Sequence, residues 1–222
     1  RLFVPESEKW KESVKSGAPK PLREIFSGGL WKTTLLAICF ASIALIGTWV
    51  SVQWVPQWVD KITGGKEPTA KAVIQLVSSI GAMIGCVIGP VLGGRFGRRP
   101  VYFSLCLVSV LLCAFLFRTQ SSYNALFVVT VGLVGCSTAA FYGWLPLYLP
   151  KLFPTRVRAT GQGLSFNFGR ILAAMGVLGT GQLVDFYEGS YARAGATISL
   201  IYVLGLFLIW LAPETRGKPL QD

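Results

Sequence analysis

The sequence contains no histidine, and its 10 Asp and Glu residues are outnumbered by 21 Lys and Arg. The lack of histidine excludes histidine-based metal sites and histidine proton relays. The acidic residues also avoid the apolar parts of the chain, because no Asp or Glu lies within any of the six long apolar blocks described below. If the protein moves protons, we therefore expect the carboxylate that carries them to lie outside these blocks.

Catalytic side-chain patterns are missing as well. The chain shows no nucleophile paired with a base, no set of metal ligands and no phosphate-binding loop. Its cysteines lie inside apolar blocks without metal-ligand spacing, which is typical of packing residues: Cys39, Cys86, Cys106, Cys113 and Cys136. We expect no enzymatic activity, no cofactor and no metal.

Long apolar blocks dominate what is present. Hydrophobic residues make up 52% of the chain and charged residues only 14%, and a bilayer crossing needs roughly 20 consecutive apolar residues. The pattern predicts an all-α integral membrane protein with six transmembrane helices. The blocks are residues 33–55, 72–93, 101–117, 124–147, 161–184 and 194–212.

The polar segments divide the chain and orient it. Residues 1–32 are predicted to be a cytoplasmic linker with an interfacial helix, residues 33–212 a six-helix bundle and residues 213–222 a cytoplasmic tail. Fifteen of the 21 Lys and Arg residues lie at one end of such a bundle, in residues 1–32, 94–100, 148–160 and 213–222. The positive-inside rule predicts a multi-pass protein of the inner or plasma membrane with both termini in the cytoplasm.

Two patterns inside the blocks carry structural predictions. Gly81, Gly85 and Gly89 recur every four residues, which predicts a small-residue stripe that lets two helices approach closely. Trp49, Trp54 and Trp58 near the end of the first block suit an aromatic belt at the membrane interface.

A basic glycine turn joins the second and third blocks, and on composition alone it is a positive loop facing the cytoplasm. Its residues 93–100, GGRFGRRP, resemble the cytoplasmic loop signature of the major facilitator superfamily, which Arg95, Gly97, Arg98 and Arg99 match. Gly94 stands where that signature usually has Asp, and Pro90 where it usually has Gly.

Three further segments resemble signatures of the sugar-porter and organic-ion branches of this superfamily. Residues 152–161 are similar to the segment between helices 10 and 11, although Lys151 stands where Glu is usual. Residues 213–218, PETRGK, resemble the signature after helix 12, and residues 5–10 the signature after helix 6.

The resemblance implies that the chain is helices 7 to 12, one bundle of a twelve-helix major facilitator fold. Such folds enclose a midplane site between two bundles and expose it alternately to either side. Because residue 1 is Arg and no signal peptide is visible, we expect the chain to begin inside a longer protein. The N-terminal six-helix half is then either absent from this chain or supplied by a second one.

The resemblance also implies a conformational latch at the cytoplasmic face, where acids and arginines pair in one state and separate in another. With two motif acids replaced, Glu6 and Glu214 are the acids that remain for Arg95 and Arg158. The competing interpretation is that these arginines contact only lipid phosphate. The predicted latch residues are Glu6, Arg95, Gly97, Arg98, Arg99, Arg158, Glu214 and Arg216.

Depth and helical periodicity select candidate solute-binding residues, which are Trp49, Gln53, Thr138, Tyr142, Asn167 and Arg170. Arg170 is the sharpest of them, because a guanidinium at this depth costs at least roughly 2.5 kcal/mol without a partner. Its partner is a solute anion, water or an acid of the other half. For Trp49 and Tyr142, packing or interhelical hydrogen bonding is an equally open interpretation.

The sequence thus predicts a secondary transporter for a small organic solute, an organic acid or sugar-like metabolite, working by alternating access with proton or ion coupling. Hexose-carrier motifs are not matched at residues 51–54 or 142–146, which favours the organic-ion, aromatic-acid or sialic-acid-like relatives. The alternatives are a membrane sensor that binds solute without moving it, and a half that needs a separately encoded partner. An intramembrane enzyme would need carboxylate, histidine or metal-ligand sets inside the blocks. The expected partners are the solute, the lipid bilayer and the N-terminal half, with no nucleic acid.

Overall fold

The structure is a computed structural model that describes residues 20–219 together with Glu12. The rest of the linker, including Glu6, lies outside the described residues. Every regular element within residues 20–219 is helical. The α-helices are α1 (Pro21–Ile25), α2 (Leu30–Ile46), α3 (Val55–Thr63), α4 (Ala70–Phe96), α5 (Arg98–Thr119), α6 (Ala125–Tyr148), α7 (Arg158–Phe186), α8 (Tyr191–Ser199) and α9 (Ile201–Leu208).

The helices combine into six rods, one for each apolar block. The first rod joins α2 to α3 through a π-helical segment, Gly47–Ser51, and a 3₁₀ turn, Val52–Trp54. The sixth rod joins α8 to α9 at Leu200 and ends in the 3₁₀ turn Ile209–Leu211. Short links connect the rods, so neighbours in sequence run antiparallel. The predicted six-helix bundle is confirmed.

Five of the six rods are long and apolar enough to cross a membrane by length and composition. The exception is α7, which has 29 residues but is interrupted by polar and small side chains such as Gln162, Asn167 and Gly179. A rod of this composition needs neighbours that cover its polar positions.

The most extensive helix interface joins α4 and α6. A Cβ added to Gly81, Gly85 or Gly89 would collide with the backbone carbonyls of Gly132, Cys136 and Ala140, respectively. The predicted small-residue stripe is therefore confirmed, and it lies against a matching four-residue repeat on α6. This close approach replaces side-chain packing with backbone contact, as is common between membrane helices.

Aromatic side chains fill the core between α2, α5 and α6. Tyr102 lies 4.7 Å from Trp144 and 5.0 Å from Phe40 between ring centroids, and Tyr148 stacks on Trp144 at 4.5 Å. The Tyr102 hydroxyl donates to the carbonyl of Phe40 at 3.2 Å. The predicted aromatic belt is wrong for Trp58, which is buried against Phe117 and Phe127 because α3 turns that face inward.

Candidate functional site

An open cleft of about 680 Å³ lies between the first, fourth and fifth rods. Its walls are almost wholly apolar, and only a few polar groups reach it. The lining residues are Leu45, Trp49, Tyr142, Phe166, Arg170, Ala173, Ala174, Val177 and Leu178. Concave, mostly apolar sites with a few polar groups are typical of small-molecule binding.

The π-helical segment places Trp49 in this cleft. The side-chain hydroxyl of the preceding Thr48 donates to the carbonyl of Ala44 at 2.9 Å and lies 3.4 Å from the carbonyl of Thr138 on α6. These contacts fix the segment while the Trp49 ring remains 47% exposed. Short π-helical insertions occur often at functional sites because they redirect side chains within a helix.

Arg170 is the only charged group that lines the cleft. It projects from α7 on the same face as Phe166, one turn earlier, and Ala173 and Ala174, one turn later. Among residues 20–219 its guanidinium has no hydrogen bond and no ion pair, and the side chain is exposed to the cleft. Five N–H donors therefore remain available to a ligand.

Tyr142 brings a second polar group to the cleft wall. Its hydroxyl is buried and has no hydrogen-bond partner within the described part of the chain, with Thr48 and Trp49 as polar neighbours. The hydroxyl is covered by protein atoms in this state, so Tyr142 contributes mainly its ring surface to the cleft.

Three of the six predicted solute-binding residues do not line the cleft. Thr138 is buried and donates back to Val134 on its own helix at 2.8 Å. Asn167 is exposed and donates to Gly163 at 2.8 Å, and Gln53 is exposed on the 3₁₀ turn. Spacing along one helix predicts which residues share a face, but it does not predict which part of that face a neighbouring helix covers. The structure brings together Trp49, Tyr142 and Arg170.

A second cluster lies at the end of the bundle that carries the basic links. The Glu214 carboxylate accepts the backbone N–H groups of Arg98 at 2.9 Å and Arg99 at 3.0 Å, which begin α5. It also accepts the N–H groups of Thr215 at 2.8 Å and Arg216 at 2.9 Å. Glu214 thus caps the positive end of a helix more than a hundred residues earlier in the chain.

The attachment of the tail to α5 through Glu214, Arg98 and Arg99 is called here the clamp. Further contacts reinforce it. Tyr148 donates its hydroxyl to the carbonyl of Pro213 at 2.7 Å, and Arg99 donates to the carbonyl of Trp210 at 2.6 Å while lying over its ring. Lys151 donates to the carbonyl of Lys218 at 2.8 Å. The lysine that replaces the usual acid therefore holds the tail through backbone carbonyls.

Two opposing effects set the pKa of Glu214. Partial burial raises the pKa, but the four backbone N–H donors together lower it further, so the carboxyl is held below its ordinary value of 4.5. The group is ionised at neutral pH, which is the form that accepts four hydrogen bonds.

Glu214, one of the two acids assigned to the predicted latch, is not paired with Arg95 or Arg158 within residues 20–219, and Glu6, the other acid, lies outside the described residues. Arg95 is exposed and lies over the Phe96 ring, and Arg158 donates to the carbonyls of Pro150 at 3.0 Å and Phe153 at 3.3 Å. Glu214 is bonded to backbone N–H groups rather than to these side chains. Glu214 thus meets the latch signature at the start of α5, through the backbone N–H groups of Arg98 and Arg99.

Two of the signature residues have a clear structural role in the clamp. Gly97 has a φ of +106°, and a Cβ there would lie 3.1 Å from the Glu214 carboxylate. The buried Arg98 side chain donates to the carbonyl of Gly93, and its own carbonyl accepts from Trp144 at 3.1 Å. The turn is thus held by both its backbone and its side chains.

An ion pair that sequence reasoning missed joins the linker to the bundle. Glu24 of α1 lies 2.9 Å from Arg156, which precedes α7. A backbone hydrogen bond from Lys20 and the Arg156 guanidinium lower the pKa of Glu24, although slight desolvation opposes them. Nothing in the sequence spacing links these two residues, because 131 residues separate them.

Comparison of the sequence with known proteins identifies its family. The sequence model of the Major Facilitator Superfamily matches residues 1–177. A probable 4-methylmuconolactone transporter of Cupriavidus pinatubonensis is 28% identical over 100% of this chain and 51% of its own length. A 3-(3-hydroxy-phenyl)propionate transporter of Escherichia coli is 27% identical over 99% of the chain and 53% of its own length.

A benzoate transport protein of Acinetobacter baylyi is 26% identical over 92% of the chain and 43% of its own length. This chain therefore spans about half the length of the curated relatives it matches. The family model covers residues 1–177, which is well over half of the chain. The six rods, the basic glycine turn and the tail signature also occur in the order that this family predicts. The chain is a multi-pass membrane protein and belongs to the Major Facilitator Superfamily.

Proposed function

We propose that this chain is the C-terminal six-helix bundle of a secondary transporter for small organic anions, with monocyclic carboxylates as the leading class. The relatives are about twice as long, which supports an N-terminal bundle that supplies the other wall of the cleft. Solute would cross by alternating access between the two bundles.

The observation that carries this proposal is Arg170 in an apolar cleft. A guanidinium at membrane depth needs a partner, and residues 33–55, 72–93, 101–117, 124–147, 161–184 and 194–212 contain no Asp or Glu to provide one. A carboxylate solute satisfies the guanidinium through paired N–H···O bonds. An acid of the N-terminal bundle is the competing partner.

The other residues that line the cleft suit a solute with an aromatic or similar small ring. Trp49, Phe166 and Tyr142 offer aromatic surface. A volume of about 680 Å³ exceeds what one small ring needs, which is consistent with closure against a second bundle. Named transporters of a lactone, a phenylpropionate and benzoate among the relatives support the same class.

The clamp is the proposed moving part of the cycle. We expect it to be formed in the state described here and to loosen when the cytoplasmic face opens, since a few kcal/mol suffice to bias a two-state equilibrium. The proposal includes a cytoplasmic linker, a cytoplasmic tail and an inner or plasma membrane location. It also includes proton or ion coupling, with any proton-carrying carboxylate in the N-terminal bundle.

Binding of benzoate and of its neutral analogue benzamide tests the solute class in the full-length protein. Arg170→Gln should weaken benzoate binding about 10- to 100-fold, the value of a charge-assisted hydrogen bond, and leave benzamide nearly unchanged. Asn167→Ala, one turn away and outside the cleft lining, is the matched control. Equal losses for both ligands would show instead that Arg170 pairs with the other bundle, and preferential hexose binding would contradict the proposed class.

Counterflow separates a transporter from a sensor. Proteoliposomes loaded with unlabelled benzoate should accumulate external labelled benzoate transiently if the protein exchanges solute across the membrane. Binding without counterflow would overturn the transport proposal while leaving the site intact.

A further inference from the structure

We infer that the stretch from Lys20 to Lys32, called here the entry segment, is a docking surface for anionic phospholipid headgroups. The inference concerns the membrane face of the bundle and does not depend on which solute the cleft takes. Three observations carry it: how the segment is fixed, what it presents outward and where it lies relative to the first rod.

The entry segment is fixed to the bundle by one face. Ile25 is fully buried, and its carbonyl accepts a hydrogen bond from the Thr34 hydroxyl at 2.7 Å. Glu24 forms its ion pair with Arg156 at 2.9 Å and accepts the backbone N–H of Lys20 at 2.9 Å. The segment is therefore held in one orientation with a defined outer surface.

The outer surface combines large apolar side chains with cations. Leu22 is 61% exposed, Phe26 51% and Trp31 44%. Lys20, Arg23 and Lys32 are exposed beside them, and none of the three forms an ion pair with any residue in 20–219. The only acid of the segment, Glu24, forms its ion pair with Arg156. The exposed charge of this surface is thus entirely positive.

The position of the entry segment indicates that lipid headgroups cover its outer surface. The first membrane rod begins at Leu30, so the entry segment lies at the level where chain and bilayer surface meet. Apolar residues inserted between cations are the composition of segments that lie in the headgroup layer. Lys and Arg that form no ion pair within residues 20–219 favour anionic over zwitterionic lipids at this level.

Quenching of Trp31 fluorescence by brominated lipid tests this inference. The full-length protein is placed in phosphatidylcholine nanodiscs containing brominated phosphatidylglycerol or brominated phosphatidylcholine at the same mole fraction. The Trp31 signal is taken as the difference from a Trp31→Phe variant. Phosphatidylglycerol should quench Trp31 at a lower mole fraction than phosphatidylcholine does.

Charge removal then identifies the residues. Combined Lys20→Gln, Arg23→Gln and Lys32→Gln substitutions should abolish the preference, with about fivefold weaker association for each charge removed. The matched control removes three exposed charges at the opposite end of the bundle: Lys66→Gln, Arg118→Gln and Arg193→Gln. It should leave the preference intact.

Three results would overturn the inference. They are equal quenching by the two lipids, a preference that survives in the Lys20, Arg23 and Lys32 variant, and protection of Trp31 from both lipids. The last result would show that protein, most simply the N-terminal bundle, covers the segment.

Discussion

At the scale of single residues, Glu214 shows how a motif acid can act through the backbone. Its two oxygens accept four N–H groups, two from the start of α5 and two from its own turn. A carboxylate near a helix start also interacts favourably with the helix dipole. The Glu214 carboxylate therefore attaches the tail to α5 through backbone N–H groups.

Replacement of Glu214 by glutamine should weaken this attachment. The amide nitrogen of glutamine is a donor and would face an N–H group where the carboxylate has an acceptor, so we expect a loss of about 1–3 kcal/mol at neutral pH. The apparent unfolding temperature in detergent measures it. Glu67→Gln, at an exposed site at the other end of the bundle, is the control.

The stability difference between the wild-type protein and Glu214→Gln should depend on pH with a defined sign. Because folding lowers the pKa of Glu214, its stabilisation is present above the ordinary value of 4.5 and is lost as the pH falls through the lower folded-state pKa. The difference between wild type and Glu214→Gln should therefore be full at pH 7 and shrink below about pH 4.5. A difference that stays constant to lower pH would contradict the carboxylate role.

At the scale of helices, the α4–α6 interface depends on the absence of side chains. Gly85 lies where any Cβ would collide with the Cys136 carbonyl, and the turns above and below repeat the same contact. Gly169 of α7 likewise lies against the backbone of Ala41 and Ser42 on α2. Close backbone approach of this kind strengthens packing between membrane helices.

Gly85→Ala should accordingly destabilise the bundle. Overpacking costs about 1–3 kcal/mol, which outweighs the roughly 1 kcal/mol that alanine gains over glycine in a helix. Gly179→Ala is the matched control, because a Cβ at Gly179 meets nothing within 4 Å and should be neutral or stabilising. Thermal unfolding of the two variants measures the contrast, and similar unfolding temperatures would contradict close backbone packing at Gly85.

The sequence predicted the rods because block length and hydrophobicity are local properties, and it predicted the Gly81–Gly89 stripe because helical periodicity fixes which residues share a face. It did not predict the π-helical segment at Gly47–Ser51, whose residues carry no breaker beyond a single glycine. The Glu24–Arg156 pair and the backbone role of Glu214 also escaped. Both features depend on contacts between elements that are distant in sequence, and the spacing of residues within one segment does not predict such contacts.

At the scale of the whole bundle, the two ends differ in charge and in construction. The Gly93–Pro100 turn, the link before α7 and the tail lie together at one end, joined through Glu214 and Lys151. The opposite end carries Asp60, which pairs with Lys71 at 2.9 Å, and Lys61, which donates to the carbonyl of Gly189 at 2.7 Å. The structure thus gathers the basic links on one face, as an antiparallel bundle with short connections requires.

Labelling of intact cells tests the proposed direction of this asymmetry. In a full-length variant from which every native cysteine is removed, including the five of this chain, single cysteines are introduced at Lys66, Gly94 and Lys218, all of them exposed. A membrane-impermeant maleimide should label position 66 directly, because the end with fewer cations faces outward. Positions 94 and 218 should react only after the membrane is permeabilised, since they share the clamped end. The reverse pattern would invert the proposed orientation, and labelling of 94 and 218 from opposite sides would contradict the clamp between the tail and α5.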